Sequence, residues 1–401
     1  MRLAPIDDLG RFALAFSLYV LITGLSRTMV TEAVLAEAAT ESANRPTIAA
    51  GSRRVAAVGV GCAAPLFAGG IVGGSSYLII VAVALPGLLL HDYARNTGVG
   101  VGRPRPPCMR EMVWTVLTAF AALLGLTGVV GPLGVFGFWA GAGALIGYTT
   151  ALMHGHRIGP GWLLDRTGTR TAVSYGLQFL LTAGSAQLAL TALGVTVGMA
   201  VVGALSAGRT VLGPATLVVG SASSLVIPHL ARVRTATGPA RRRTALRATV
   251  VLLLGTVPAC LFVLLLPDGL GEAVLGDNWR HAQPLLWLLA LEVLFGGMAM
   301  VGFAGHRVQG AARRALLLGG VLGILRIPTV VVGAEMWGPV GAAVALALMG
   351  LISAAAWWIS YLQQTGGRAL AESRPTGIPA PDLDTGEGRP TFSASRVSGG
   401  R

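Results

Sequence analysis

Residues 172–231 read AVSYGLQFLLTAGSAQLALTALGVTVGMAVVGALSAGRTVLGPATLVVGSASSLVIPHLA, and Arg209 is the only Asp, Glu, Lys or Arg among them. A membrane span needs about 20 mostly apolar residues, so the stretch holds either two long spans or three short ones. The choice sets the parity of the chain, and with it the side of the membrane that every later loop faces. Upstream, apolar runs occupy 12–30, 54–74, 76–91, 112–131 and 133–152. Downstream they occupy 245–267, 284–305, 314–334 and 338–361.

The arginines decide the cut. With two spans, 172–200 and 203–231, the chain has eleven, and one side of the membrane collects nearly all the positive charge. That side holds Arg45, Arg53 and Arg54, then Arg95, Arg103, Arg105 and Arg110, then Arg157, Arg166 and Arg170. It continues with Arg232, Arg234, Arg241, Arg242, Arg243 and Arg247, then Arg307, Arg313 and Arg314, then Arg368, Arg374, Arg389, Arg396 and Arg401. The opposite side keeps Arg2, Arg11 and Arg280. A third span in 172–231 would move the Arg241–Arg243 cluster outside. The positive-inside rule therefore favours two spans, a cytoplasmic C-terminus and an external N-terminus.

Composition agrees with a membrane chain. The 401 residues are 53% apolar and 12% charged, with a mean hydropathy of +0.70. Soluble domains carry roughly 25% charged residues, and a disordered chain would be polar. The 57 glycines suit closely packed transmembrane helices. The net charge of +13 comes entirely from arginine, with no lysine present. Because the basic residues lie between apolar runs, membrane topology accounts for them and a nucleic-acid partner does not. Cys62, Cys108 and Cys260 form no CxxC pair and no metal-ligand spacing. There is no phosphate-binding GxxxxGK[ST] loop, and no cofactor is expected. Residues 12–25 fail as a signal peptide, because the segment leading to Ala36-Glu37-Ala38 is acidic and over-long.

The expected fold is an all-α polytopic membrane protein, a two-lobed bundle of about 11 helices divided five and six. Residues 1–152 form the first lobe, 153–171 a cytoplasmic inter-lobe loop, and 172–362 the second lobe. Residues 363–401, rich in Gly, Pro, Ser, Asp and Arg, read as a disordered cytoplasmic tail. Residues 232–244 read as a basic loop and 268–283 as a short acidic loop on the outer face. A weak internal repeat supports the two halves. Gly10–Ala15 matches Gly203–Gly208 at an offset of 193, and Gly98–Arg103 matches Val308–Arg313 at an offset of 210.

Four stretches resemble the polysaccharide and lipid-linked oligosaccharide flippases of the MOP exporter superfamily, the Wzx-like group. They are GRFALAFSLYVLITGLSRTMVTE (10–32), LLLHDYARNTGVGVGRPRPPCMREMVW (88–114), GALSAGRTVLGPATLVVGSASSLVIPHLAR (203–232) and LGDNWRHAQPLL (275–286). The resemblance spans most of 10–362. It implies two six-helix lobes facing each other around a central cavity and alternating between inward-open and outward-open states. It also implies a glycan on a polyprenyl diphosphate as substrate, in the cytoplasmic membrane and among membrane lipids. The family's first helix has no counterpart here, which gives the expectation of a misassigned start codon or a truncated copy.

Charged side chains inside spans cost roughly 2.5–3.5 kcal/mol each, so those present need a cavity or a partner. Arg27, Arg209 and Arg326 are candidates to bind a diphosphate, whose oxygens a guanidinium holds bidentately. Snorkelling to an interface is the other reading for Arg27 and Arg209. Two roles are open to Glu292: an ion-coupling site, or a structural pair with Arg326 or another arginine. Pro65, Pro214 and Pro328 fall within spans as potential kinks. His91, His154, His156, His229, His281 and His306 lie near span ends, and Trp114, Trp337, Trp357 and Trp358 read as interface anchors. A cation-coupled exporter would favour acidic cavity residues, and a polytopic transferase would need Asp, Glu or His clustered at one face. Asp92, Glu111, Asp165 and Glu335 are scattered instead. An anionic substrate and a non-enzymatic transporter are therefore expected. The topology has a direct test: a reporter fused after residue 362 should be active only as a cytoplasmic reporter, and an external signal there would overturn the eleven-span reading.

Overall fold

The computed structural model describes residues 4–35, 45–154, 159–162, 166–233 and 235–372, and the regular structure in them is helical. Arg2, Ala36–Ala38, His156, Arg157, Asp165, Arg234 and the tail from 373 onward lie outside the described residues. Among those described, nine helices are long and apolar enough to cross a membrane, and ten if the bent pair described below counts as one. One of the nine, Arg313–Gly366, carries two of the runs read from sequence.

The first half comprises α1 (Ile6–Ser26, continued by a π turn at Arg27–Thr31), α2 (Arg45–Val72), α3 (Ser76–Gly100), α4 (Arg105–Leu126) and α5 (Pro132–Met153). α3 is its axis: Val81, Leu85, Leu88 and Leu89 are buried, and Gly147 of α5 seats against the Gly87 carbonyl. α4 is the outer helix, with only Pro107 and Ala121 buried. The second half begins with α6 (Arg166–Leu181), α7 (Ser185–Thr196), α8 (Met199–Val211) and α9 (Gly213–Ala231). It continues with α10 (Gly238–Leu264), α11 (Asp268–Leu275), α12 (Asn278–Ala282) and α13 (Leu286–Val308). The helical stretch Ala312–Glu372 breaks at Trp337 and Gly338. Gly338 has φ +60°, which a side chain would strain, and the chain doubles back there. An ideal Cβ at Gly333 would lie 3.0 Å from Ala345 Cβ, whereas twelve residues of straight helix rise about 18 Å. The two arms, 312–336 and 339–372, are α14 and α15.

The halves meet where α1 crosses α8. A Cβ added to Gly10 would overlap the Met199 carbonyl, and one added to Gly203 would overlap the Ile6 carbonyl. These two contacts exchange under the 193-residue offset of the sequence repeat, so the crossing has local two-fold character. Leu9 and Ala13 of α1 share one core with Val202 and Leu205 of α8, while Ile22 and Val30 belong to the core of the first half.

Several sequence expectations need correction. The span 172–200 is broken by a 65° bend between α6 and α7. The cause lies in Thr182-Ala183-Gly184-Ser185: the Thr182 hydroxyl donates to Gln178 O at 2.8 Å and Ser185 to Thr182 O at 2.7 Å, in competition with the helix ladder. The span 203–231 starts earlier, at Met199, and breaks at Leu212. Pro214, lacking an amide hydrogen, sits in the first turn of α9 and starts a helix where a mid-span kink was expected. The basic loop shortens to 232–237, because Gly238-Pro239 opens α10. The acidic loop is largely helical, with Trp279 Nε1 and Gln283 Nε2 both donating to Asp268. The inter-lobe segment ends at Arg166, and the helix expected to stop at 362 runs to Glu372. Trp114 donates to Trp139 O, Trp358 donates to Met298 O, and Trp357 is buried against Gly302. All three pack inside, and Trp337 at the hairpin tip is the exposed one.

The crossing gives a paired test. Gly10→Ala and Gly203→Ala should each lower thermal stability in detergent by an amount equivalent to about 1–3 kcal/mol of overpacking. Gly61→Ala, where nothing lies within 4 Å, should leave the unfolding temperature unchanged. Equal effects at all three positions would show that α1 and α8 do not meet through backbone.

Candidate functional site

Two clusters of charged side chains join helices across the bundle. The first joins α1, α3 and α4. Arg27, the first residue of the π turn, donates from Nη2 to Asp92 Oδ1 at 2.7 Å and from Nε to Oδ2 at 3.4 Å. Arg95, one turn after Asp92, donates to the same carboxylate at 2.6 Å and to Glu111 at 3.0 Å. The Asp92 side chain is 9% exposed, so both arginines serve one nearly buried carboxylate. His91 stands edge-on to Trp114 at 4.9 Å, walling the cluster with aromatic surface. π turns recur at functional positions in helices, and this one places a guanidinium at the junction of three helices.

The second cluster joins α8, α13 and α14. Arg209, in the last turn of α8, donates from Nη2 to both oxygens of Glu292, at 2.8 and 3.1 Å. Arg326 of α14 lies within electrostatic range of both. Among the described residues it has no hydrogen-bonded or ion-paired partner. Formal charges in the first cluster cancel, Arg27 and Arg95 against Asp92 and Glu111. In the second, Arg209 and Arg326 face Glu292 alone, which leaves one positive charge.

Arg209 lines a cavity of about 360 Å³ between the halves, bounded by Phe12 and Phe16 of α1, Gln187 and Leu190 of α7, and Ser206 of α8. The other faces of Phe12 and Phe16 line an apolar groove of about 440 Å³ together with Tyr77, Phe136 and Trp139. Their rings are mutually packed, with centroids 5.2 Å apart for Phe12 and Phe136 and 5.7 Å for Phe16 and Trp139. One pair of phenylalanines thus lies between a cavity carrying a guanidinium and a mostly apolar, aromatic groove that Asp8 and Thr118 also line. The described residues hold no group of three or more metal-ligating side chains.

The structure therefore pairs Arg209 with Glu292, sets Arg326 within electrostatic range of that pair but outside the lining of the Arg209 cavity, and leaves Arg27 on a separate cluster with Asp92. Sequence reasoning missed that cluster. It ended the span at 91 and began the next at 112, which put Asp92, Arg95 and Glu111 in a loop. The signal lay in Asp92-x-x-Arg95, whose i, i+3 spacing suits a helix that continues. Glu292, with two roles open from sequence, is paired with Arg209.

No family model matches the chain, and no curated protein matches it. Solved structures do. One described as the lipid II flippase MurJ in an inward closed conformation is 11% identical, covering 92% of this chain and 85% of that one, with a TM-score of 0.67. The Vibrio cholerae MATE transporter VcmN in its bent form is 16% identical, covering 90% and 87%, with a TM-score of 0.54. An outward-facing multidrug-resistance MATE transporter of the MOP superfamily is 12% identical, covering 90% and 86%, with a TM-score of 0.52. At such identities the likeness is one of fold. This is a multi-pass membrane protein with the fold of MOP-superfamily transporters, and the likeness extends to flippase and multidrug exporter alike.

The first cluster predicts an order of stabilities. Asp92→Asn removes the carboxylate that two arginines share and should lower stability by about 1–3 kcal/mol, reduced from the full buried-pair value because both arginines are more than a third exposed. Glu111→Gln removes one partly exposed pair and should change it by less than about 1 kcal/mol. Thermal unfolding in detergent measures both, and a Glu111 effect equal to that of Asp92 would show that the carboxylate is not shared.

Proposed function

We propose that the protein is an alternating-access transporter for an anionic lipid-linked substrate, a glycan on a polyprenyl diphosphate, which it moves across the cytoplasmic membrane for cell-surface polysaccharide assembly. The carrying observation is Arg326, a guanidinium within a helix, unpartnered among the described residues and next to the Arg209–Glu292 pair. Such a charge is costly in hydrocarbon and is stabilised when an oxyanion occupies its fork. The arrangement around Phe12 and Phe16 supports the lipid part of the reading. A diphosphate head fits the side where Arg209 lies, and a polyprenyl chain fits the aromatic groove. In this reading 1–152 and 172–362 act as the two moving lobes.

A cation-coupled exporter of the same superfamily is the second reading, because solved MATE transporters share the fold. It would use Glu292 as the coupling carboxylate, and Arg209 competes with that role by occupying both oxygens.

Farnesyl diphosphate, a soluble short-chain probe, separates the two. The purified protein should bind it. Arg326→Ala should weaken binding about tenfold or more, and Arg326→Lys should keep part of it, because lysine retains the charge and loses the bidentate fork. In cells the alanine variant should lose glycan export. Tight binding of ethidium that Arg326→Ala leaves unchanged, without farnesyl diphosphate binding, would overturn the anionic reading in favour of the exporter.

A further inference from the structure

A second kind of basic site lies away from the cavity between the halves. At the arginine-rich end of the first half, α2, α3, α4 and α5 surround a cavity of about 640 Å³. Its lining includes Ile48, Leu90, Val101 and Met153 together with Arg103 and Arg110. No carboxylate lines it among the described residues. The neighbouring acids, Asp92 and Glu111, already accept from Arg27 and Arg95. Three of the hydroxyls that line it use their protons on backbone: Tyr93 donates to Ile48 O at 2.7 Å, Ser52 to Ala49 O at 2.7 Å and Thr97 to Tyr93 O at 2.8 Å. Thr150 and His154 line it too, the His154 Nδ1 lying 2.7 Å from Thr150 O, and the guanidinium groups of Arg103 and Arg110 have no hydrogen-bonded or ion-paired partner among the described residues.

The second half has a shallower basic hollow at the corresponding turn, between α13 and α14. Beyond α13 an open hollow of about 700 Å³ is bounded by Arg313 and Arg314 together with Leu317, Leu318 and Val321, again without a carboxylate. The 210-residue offset of the sequence repeat carries Arg103 onto Arg313. Each arginine follows a turn that closes on a left-handed glycine, Gly102 at φ +76° in the first half and Gly310 at +69° in the second.

We propose that these hollows are two repeat-related binding sites for the phosphodiester headgroup of an anionic phospholipid. The chemistry is a bidentate guanidinium fork for the phosphate oxygens beside apolar walls for the start of the acyl chains. Basic pockets between membrane helices take anionic headgroups in this way. A free phosphate would satisfy the arginines and leave the Ile48, Leu90 and Met153 walls without an apolar partner, so the lipid is the better fit. The sites share no residue with the cavity that holds Arg209, so their occupancy does not depend on what the transporter carries.

The test uses the purified full chain in detergent and measures binding of dioctanoyl phosphatidylglycerol, dioctanoyl phosphatidylcholine and inorganic phosphate. Phosphatidylglycerol should bind in two equivalents and phosphatidylcholine at least about tenfold more weakly. The double variant Arg103→Gln/Arg110→Gln should remove one equivalent, and Arg313→Gln/Arg314→Gln the other. Equal binding of the two lipids, or phosphatidylglycerol binding that survives all four substitutions, overturns the proposal. Inorganic phosphate binding as tightly as phosphatidylglycerol assigns the sites to the free anion and overturns the lipid. Should the glutamine variants fail to fold, wild-type protein decides. Phosphatidylglycerol binding should collapse near 1 M salt, where the screening length is about 3 Å, and binding that resists the salt sinks the idea.

Discussion

Everything in this fold hangs on one steric constraint: α1 and α8 cross with backbone against backbone. Lipid tails are as apolar as leucine, so helices in a bilayer gain little from the hydrophobic effect and associate through close packing. Gly10 and Gly203 permit that approach by lacking a side chain, and the same device recurs within each half. Gly147 meets the Gly87 carbonyl, Gly323 meets the Leu181 carbonyl, and Gly341 meets Gly333. The closest helix approaches among the described residues are thus made at glycines. The consequence for architecture is that α1 belongs to both halves. Its first turns lie in the core of the second and its later turns in the core of the first, which makes it a joint between them.

The charges are arranged around that joint. Arg27 sits at the far end of α1, in the π turn, and is bound by Asp92. Arg209 sits in the last turn of α8 and is bound by Glu292. Each half therefore places one arginine on a helix of the crossing and anchors it to a carboxylate on a more central helix, α3 or α13. A pair of this kind leaves neither group as a lone charge in hydrocarbon. It also ties the crossing helices to their own bundles.

Much of this was legible in the sequence, and the limits have physical causes. Apolar runs mark helices because a bilayer demands length and hydropathy, and the repeat at offset 193 marks the contact because both crossing strips need small residues at the same register. The breaks in 172–231 were harder to read. A bend at Thr182–Ser185 comes from hydroxyls that compete for backbone carbonyls, and hydropathy does not register that competition. The first charge cluster escaped for a related reason. Asp92 and Glu111 lie beyond the apolar runs, in helical turns that continue past them, so a reading by hydropathy alone ended the helices early. The Arg209–Glu292 pair was within reach because both residues interrupt apolar runs, although which arginine would take the carboxylate depends on how α8 and α13 face each other in space. The tryptophans misled because an amphipathic ring suits an interface and a polar-lined interior equally well, and Trp114 and Trp358 each find a carbonyl for the indole N–H inside the bundle.

The same accounting of charge supports the proposal of an anionic substrate. Asp92, Glu111 and Glu292 each already accept from an arginine. A cation seeking any of them would have to displace a guanidinium and leave it without a counter-charge between helices, the costly state that the pairing prevents. An anion faces no such exchange. Arg326 needs no partner to be removed before it can accept one, and Arg209 still has guanidinium donors beyond the one that serves Glu292. Binding an anion offsets the positive charge of the second cluster, whereas binding a cation would raise it further. The proposal of an anionic cargo thus rests on which of these charges between helices are already paired.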